Sequence, residues 1–167
     1  MHTKVLVTAT AEAKARHYQE VQERIEALIM TESDWVAAMA TVVCELHHSF
    51  DYFHWTGFYR TVSDNLLKIG PYQGGHGCLT IPFTKGVCGA AARTQKTQVI
   101  ADVNAIKDHI ACAATTMSEI VVPLIGSNGK TKAVLDIDSD IKDAFKEVDR
   151  ECLQKLCHIL EKKFLND

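Results

Sequence analysis

Between Cys78 and Asp138 the chain carries three cysteines, Cys78, Cys88 and Cys112, and downstream of the last of them three carboxylates, Glu119, Asp136 and Asp138. Each thiol stands beside glycine, alanine or loop residues, and each acid is set into an otherwise apolar run. A thiolate is both a nucleophile and a redox centre, and a carboxyl held among apolar neighbours can keep a proton for delivery. The combination points to nucleophilic or redox sulfur chemistry.

The acids have a geometric consequence. Alternate side chains of a strand share a face, so Asp136 and Asp138 point the same way, roughly 6.6 Å apart, while Leu135 and Ile137 point into the core. Ser118 to Ile125 and Thr131 to Ser139 predict a hairpin about Gly126-Ser127-Asn128-Gly129. If Ile125 faces Lys130, Glu119 lies opposite Asp136; if the turn is the tighter Asn128-Gly129, Glu119 lies opposite Asp138. Both put Glu119 on the face of the two aspartates, and a three-residue loop, the less favoured case, turns it away. Like charges across a strand pair are unfavourable. A pocket keeps them to bind a cation or to hold one carboxyl protonated; the plain alternative is an exposed acidic strand face.

The thiols separate by setting. Cys44, Cys152 and Cys157 fall on amphipathic helices and read as small core hydrophobes. Cys88 opens a small-residue helix, GVCGAAAR, whose N-terminus favours a thiolate. Cys112 follows His109-Ile110-Ala111 in a stretch without regular period. Zinc wants close pairs such as C-x₂-C, and there are none. Cys44 with His47 and His48 has helical spacing but reads as packing and surface, and no ligand loop for Ca²⁺ or Mg²⁺ is recognisable. No metal is expected. A cysteine-protease arrangement lacks a third member beside His109 and Cys112.

The elements that must position these groups follow from periodicity. Apolar Tyr18, Val21, Ile25 and Leu28 predict a helix from Ala11 to Met30, and Trp35, Met39, Val42 and Leu46 a second through His48, opened by a capping box at Thr31 to Asp34. Aromatic-rich Tyr52 to Arg60 and Leu66 to Tyr72 read as paired strands, Cys78 to Ile81 and Thr97 to Ala101 as short ones. Asp102 to Thr116 reads as a long functional loop. A closing helix after Phe145 carries Val148, Cys152, Leu156, Ile159 and Leu160. Helices, then strands, then a helix predict an α+β layer fold with an antiparallel sheet.

At 167 residues, 47% hydrophobic and 23% charged, the chain fits one soluble domain spanning 1–167, with residues 1–10 as a flexible arm. A net charge of -3 offers no basic field for nucleic acid. No apolar run approaches the roughly 20 residues that span a bilayer, and no signal peptide is visible, so a cytoplasmic protein is expected.

The blocks WTGFY (55–59), GPYQG (70–74), C-x-x-IPF-x-KGVCG-x-A (78–91), HIAC (109–112), SEIVVPL (118–124) and VLDIDS (134–139) resemble the free methionine-(R)-sulfoxide reductases, a catalytic branch of the GAF-domain fold, over roughly residues 35–160. The resemblance implies a GAF-like antiparallel sheet. The N- and C-terminal helices would cover one face; the small-residue helix and the long loop would form a pocket on the other. It implies Cys112 as the attacking thiol, Cys78 as its disulfide partner, and Cys88 as a further redox cysteine for which nucleophile duty is also open. It places Trp55 and Tyr59 as pocket aromatics, and Glu119, Asp136 and Asp138 as the polar side of the substrate site. It further implies free methionine sulfoxide as substrate, no bound cofactor, a thioredoxin-like dithiol as reductant, and a homodimer. The chain departs from the family pattern at Ala113, where aspartate is usual, at Ala133, where glycine is usual, and at Gly77, where alanine is usual.

The competing expectations are a non-catalytic GAF module that binds a small ligand and a thiol redox switch. A regulatory GAF unit is usually joined to an effector domain. With one domain expected here, the enzyme is favoured.

Overall fold

The computed structural model describes residues 4–106 and 115–166. Two helices, α1 (Ala11–Leu28) and α2 (Trp35–Ser49), precede strands β1 (Trp55–Ser63), β2 (Leu66–Gln73) and β3 (Thr80–Pro82). Helix α3 (Gly86–Thr94), β4 (Gln98–Ile100), a 3₁₀ turn at Val103–Ala105, the hairpin β5 (Ser118–Ile125) and β6 (Thr131–Ser139), and α4 (Glu147–Phe164) complete it. The six strands form one sheet in the order β3-β2-β1-β6-β5-β4, with every neighbouring pair antiparallel.

The two faces of the sheet bury different cores. Phe58, Ile120, Val122, Leu124, Leu135 and Ile137 point to one side, where α1, α2 and α4 contribute Tyr18, Met39, Val42, Leu46, Leu153 and Leu160. Trp55, Tyr59, Val121 and Val134 point to the other, against Val87, Cys88, Ala91 and Ala92 of α3. Helix α3 sits close because its side chains are small. A Cβ on Gly89 would stand 2.6 Å from the Pro82 carbonyl oxygen.

The predicted helices and strands are all present, with corrected edges; of the expected loop Asp102–Thr116, residues 103–105 form the 3₁₀ turn and 107–114 lie outside the described residues. The α1 stripe runs Tyr18, Val21, Ile25 and then the C-cap Ile29, leaving Leu28, the last helical residue, 60% exposed. Helix α2 starts from Asp34, whose side chain accepts from the Ala37 N–H at 2.8 Å; Glu32 instead holds the Ser33 and Asp34 N–H groups just before it. Strand β1 begins at Trp55, because Tyr52 and Phe53 turn into the helical core. The buried face of α4 is Asp149, Leu153, Leu156, Cys157 and Leu160, so Val148 and Cys152 lie at its margin. Within the expected arm of residues 1–10, Val5 is tied to the end of α2 and the segment that follows it. Val5 bridges Phe50, its N–H donates to the Ser49 carbonyl at 3.0 Å, and its carbonyl accepts from Asp51 N–H at 3.1 Å.

A buried polar hub ties the helical layer together. Asp149 is fully buried and accepts from Tyr18 Oη at 2.8 Å, Tyr52 Oη at 2.5 Å and the Lys146 N–H at 2.8 Å. Lys14, 2% exposed, lies 3.4 Å from the same carboxylate and 4.3 Å from the Tyr52 ring centre. A buried charge without partners would cost several kcal/mol. Here one carboxylate unites α1, α4 and the segment leading into β1.

Candidate active site

The β5–β6 hairpin sets the carboxylates. Gly126 N–H donates to the Lys130 carbonyl and Gly129 N–H to the Gly126 carbonyl, both at 2.9 Å, with Gly129 at φ +71°. This is a three-residue loop, the case that by parity should turn Glu119 to the wrong face. It does not, because the register shifts: Ile125 pairs with Thr131, but Leu124 pairs with Ala133, leaving Lys132 as a bulge. One odd loop plus one extra residue restores parity. Glu119 then stands opposite Asp138, and Val121 opposite Asp136.

The adjoining strand completes the face. Trp55 pairs with Asp138, Gly57 with Asp136 and Tyr59 with Val134. Trp55 and Tyr59 therefore share the acids' side, with ring centres 5.8 Å apart and planes 26° from parallel. Trp55 is further held by Tyr72, stacked at 5.5 Å, and by its indole N–H, which donates to the Gly75 carbonyl at 3.0 Å. Because the ring lies over Gly57, a Cβ there would overlap it. A Cβ on Gly77 would meet both Trp55 and the Tyr59 hydroxyl at 3.0 Å, so glycine at this position leaves extra room beside the aromatic pair.

Helix α3 brings Cys88 over the same patch. Ligating atoms of Cys88, Glu119 and Asp136 lie within 4.8 Å of one another, and all three residues are buried. Burial pushes the Asp136 carboxyl well above the usual range, the neighbouring Glu119 charge adds to the rise, and the Cys88 thiol partly offsets it. Asp138 is raised by burial and by the Asp136 charge, with the Thr116 side chain pulling the other way. The Cys88 thiol is also pushed up, first by burial and then by the Asp136 and Glu119 charges. The expectation that the α3 N-terminus makes Cys88 a ready thiolate is therefore corrected. A half-charge at a helix end is outweighed by loss of water and two adjacent acids.

The remaining cysteines divide as follows. Cys78 lies in the loop before β3 and is disulfide-bonded. Cys44, Cys88, Cys152 and Cys157 are free thiols. Cys157 is a buried core residue as expected and Cys152 is partly buried, but Cys44 is exposed. The stretch that carries His109, Cys112 and Ala113 lies outside the described residues.

Thus Trp55, Tyr59, Cys88, Glu119, Asp136 and Asp138, separated by up to 83 positions, meet on one sheet face under a single helix. Sequence reasoning missed Gly57, the space for the indole, and Tyr72 and the Gly75 carbonyl, which orient it. An isolated glycine inside a strand pattern was the available signal for the first.

An antiparallel six-stranded sheet with helices on one face and an acidic and aromatic patch under a short helix on the other is the architecture of the GAF class. The GAF domain family model matches residues 31–161, and the chain belongs to that family. Among its relatives, Protein YtsP of Bacillus subtilis is 43% identical over 89% of this chain and 91% of its own length. The free methionine-R-sulfoxide reductase of Saccharomyces cerevisiae is 40% identical over 86% of each chain. The solved structure of the free methionine-R-sulfoxide reductase of Neisseria meningitidis in complex with its substrate superposes with a TM-score of 0.87, at 41% identity, over 98% of this chain and 96% of that one. Within the GAF domains, the chain belongs to the free methionine-R-sulfoxide reductase family.

Proposed function

We propose that this protein reduces free methionine-(R)-sulfoxide to methionine. The observation that carries the proposal is the juxtaposition of buried Glu119 and Asp136 with the Cys88 thiol, on the face where Trp55 and Tyr59 stack. The relatives above, one of them solved with its substrate, support it.

In this account Glu119 holds the substrate ammonium, and Trp55 and Tyr59 flank its apolar methyl-sulfur end. Cys112 is the attacking thiol. Its sulfur adds to the sulfoxide sulfur while Asp136 or Asp138, kept protonated by the surroundings described, protonates the departing oxygen. The protonated oxygen then passes to the cysteine sulfur: a new S–O bond forms there while the substrate S–O bond and the transient S–S bond break, so methionine leaves with two electrons from the cysteine, which remains as sulfenic acid. The Cys78 thiol then attacks that sulfur, a disulfide forms and water departs. Support comes from Cys78 being disulfide-bonded while Cys44, Cys88, Cys152 and Cys157 are free; Cys112 is the proposed partner. A thioredoxin-like dithiol regenerates both thiols by exchange. We also place the enzyme in the cytoplasm as a homodimer; no helix among the described residues is long and apolar enough to cross a membrane.

Chiral separation of a racemic methionine sulfoxide reaction tests this. With dithiothreitol as reductant, the R epimer should disappear and the S epimer persist. Cys112→Ser should stop turnover. If Cys88→Ser alone abolishes a single turnover while Cys112→Ser keeps it, Cys88 is the nucleophile. A folded protein that consumes neither epimer would leave a ligand-binding GAF module in its place.

A further inference from the structure

The same patch has a second chemistry that the proposed reaction does not use. Cys88 Sγ and carboxylate oxygens of Glu119 and Asp136 converge within 4.8 Å of one another, from α3, β5 and β6. Asp136 is only 6% exposed, and its Oδ1 is buried without a hydrogen-bond partner. A buried oxygen with no donor is a costly arrangement that a cation would relieve. One sulfur and two carboxylates form a mixed soft and hard donor set that suits zinc, which accepts thiolate at about 2.3 Å and carboxylate at about 2.0–2.2 Å. Small inward shifts of the three side chains would bring them onto one ion.

From this we infer that Cys88, Glu119 and Asp136 form a binding site for a thiophilic divalent cation, Zn²⁺ or its heavier analogue Cd²⁺. Cys88 is free while Cys78 is disulfide-bonded, so the site exists in the disulfide form of the protein. Binding displaces the proton of the thiol and any held by the carboxyls, so affinity rises with pH. The ion binds whatever reaction the protein performs. On the proposed function, however, it occupies Glu119, which receives the substrate ammonium, and Asp136, a candidate proton donor, and Zn²⁺ is then a reversible inhibitor competitive with methionine sulfoxide.

The test is Cd²⁺ titration of the disulfide-intact protein without added thiol, followed by the ultraviolet sulfur-to-cadmium charge-transfer band. The main rival is exposed Cys44, whose Sγ lies 3.9 Å from His48 Nδ1. The expected result is a one-equivalent band retained in Cys44→Ser and lost in Cys88→Ser. Asp136→Asn and Glu119→Gln should each weaken binding more than about tenfold, at least the lower end of what losing an outer partner costs. Thermal unfolding of each variant checks that it is folded; should Cys88→Ser fail that check, Glu119→Gln decides. A band that survives Cys88→Ser, disappears in Cys44→Ser, or is absent from wild type overturns the proposal. The band is read without turnover, so its absence speaks against the cation site and leaves the reductase proposal to its own assay.

Discussion

Gly57 stands directly across the β1–β6 ladder from Asp136, so the aspartate's neighbour on the aromatic strand has no side chain and the Trp55 indole fills the space. Gly57→Ala should therefore push the ring off its Tyr59 and Tyr72 partners and destabilise the protein by about 1–3 kcal/mol, the range for overpacking. Denaturant unfolding with Trp55 fluorescence measures both effects. Gly75→Ala, where an added Cβ meets nothing within 4 Å, is the control that should change little.

Asp149 should be the most damaging single truncation in the helical layer. Asp149→Ala strands Lys14, Tyr18 Oη and Tyr52 Oη in a buried region and should cost about 3–5 kcal/mol. Lys14→Met should cost much less, since it removes the buried ammonium and keeps the tyrosine hydrogen bonds. Urea midpoints of the two variants decide the order; equal losses would count against the hub.

The pocket acids and a helix histidine should bend the pH-stability curve in opposite directions. Asp136 and Asp138 are raised on folding, so their contribution is full below the unfolded carboxylate range and fades as pH rises through their folded values. Asp136→Asn should flatten that upper limb. His47, half-buried beside His48, is lowered to about 4, chiefly by burial. Its contribution is full above its ordinary value of about 6.5 and is lost as pH falls toward 4. Chemical denaturation across pH, with His47→Gln for the acid limb, resolves the two.

Glu119→Gln should raise KM for methionine sulfoxide by roughly tenfold to a hundredfold, the worth of one charge-assisted hydrogen bond, with a smaller effect on kcat. Steady-state kinetics with the R epimer measure it. A purely redox-sensing thiol would oxidise equally well in this variant.

The strands and helices were legible because alternation and helical spacing are local properties, whereas the division into two cores, one on each face, was implied by the family resemblance. The β5 and β6 limits matched the chain's own pattern, and Leu135 and Ile137 faced the core as alternation requires. That the acids share a face was also legible, but the route to it was not. A three-residue loop and a compensating bulge at Lys132 are set by turn chemistry and by packing on both sides of the hairpin. The Cys88 thiol was misjudged for a related reason. Its helix position is local, whereas the water it loses and the two acids it meets come from strands at least 31 residues away. Tyr72 and the Gly75 carbonyl were invisible because they act through tertiary contact with Trp55 alone.

In the proposed reaction the buried carboxylate of Glu119 holds the free amino group of methionine sulfoxide beside the reacting thiols. This is tested most directly by comparing initial rates on free methionine-(R)-sulfoxide and on its N-acetyl derivative, with dithiothreitol and with methionine or N-acetylmethionine quantified. The free amino acid should be reduced rapidly, and the acetylated one, which lacks the ammonium, at least about a hundredfold more slowly. Equal rates on both, or no methionine from either, would contradict it.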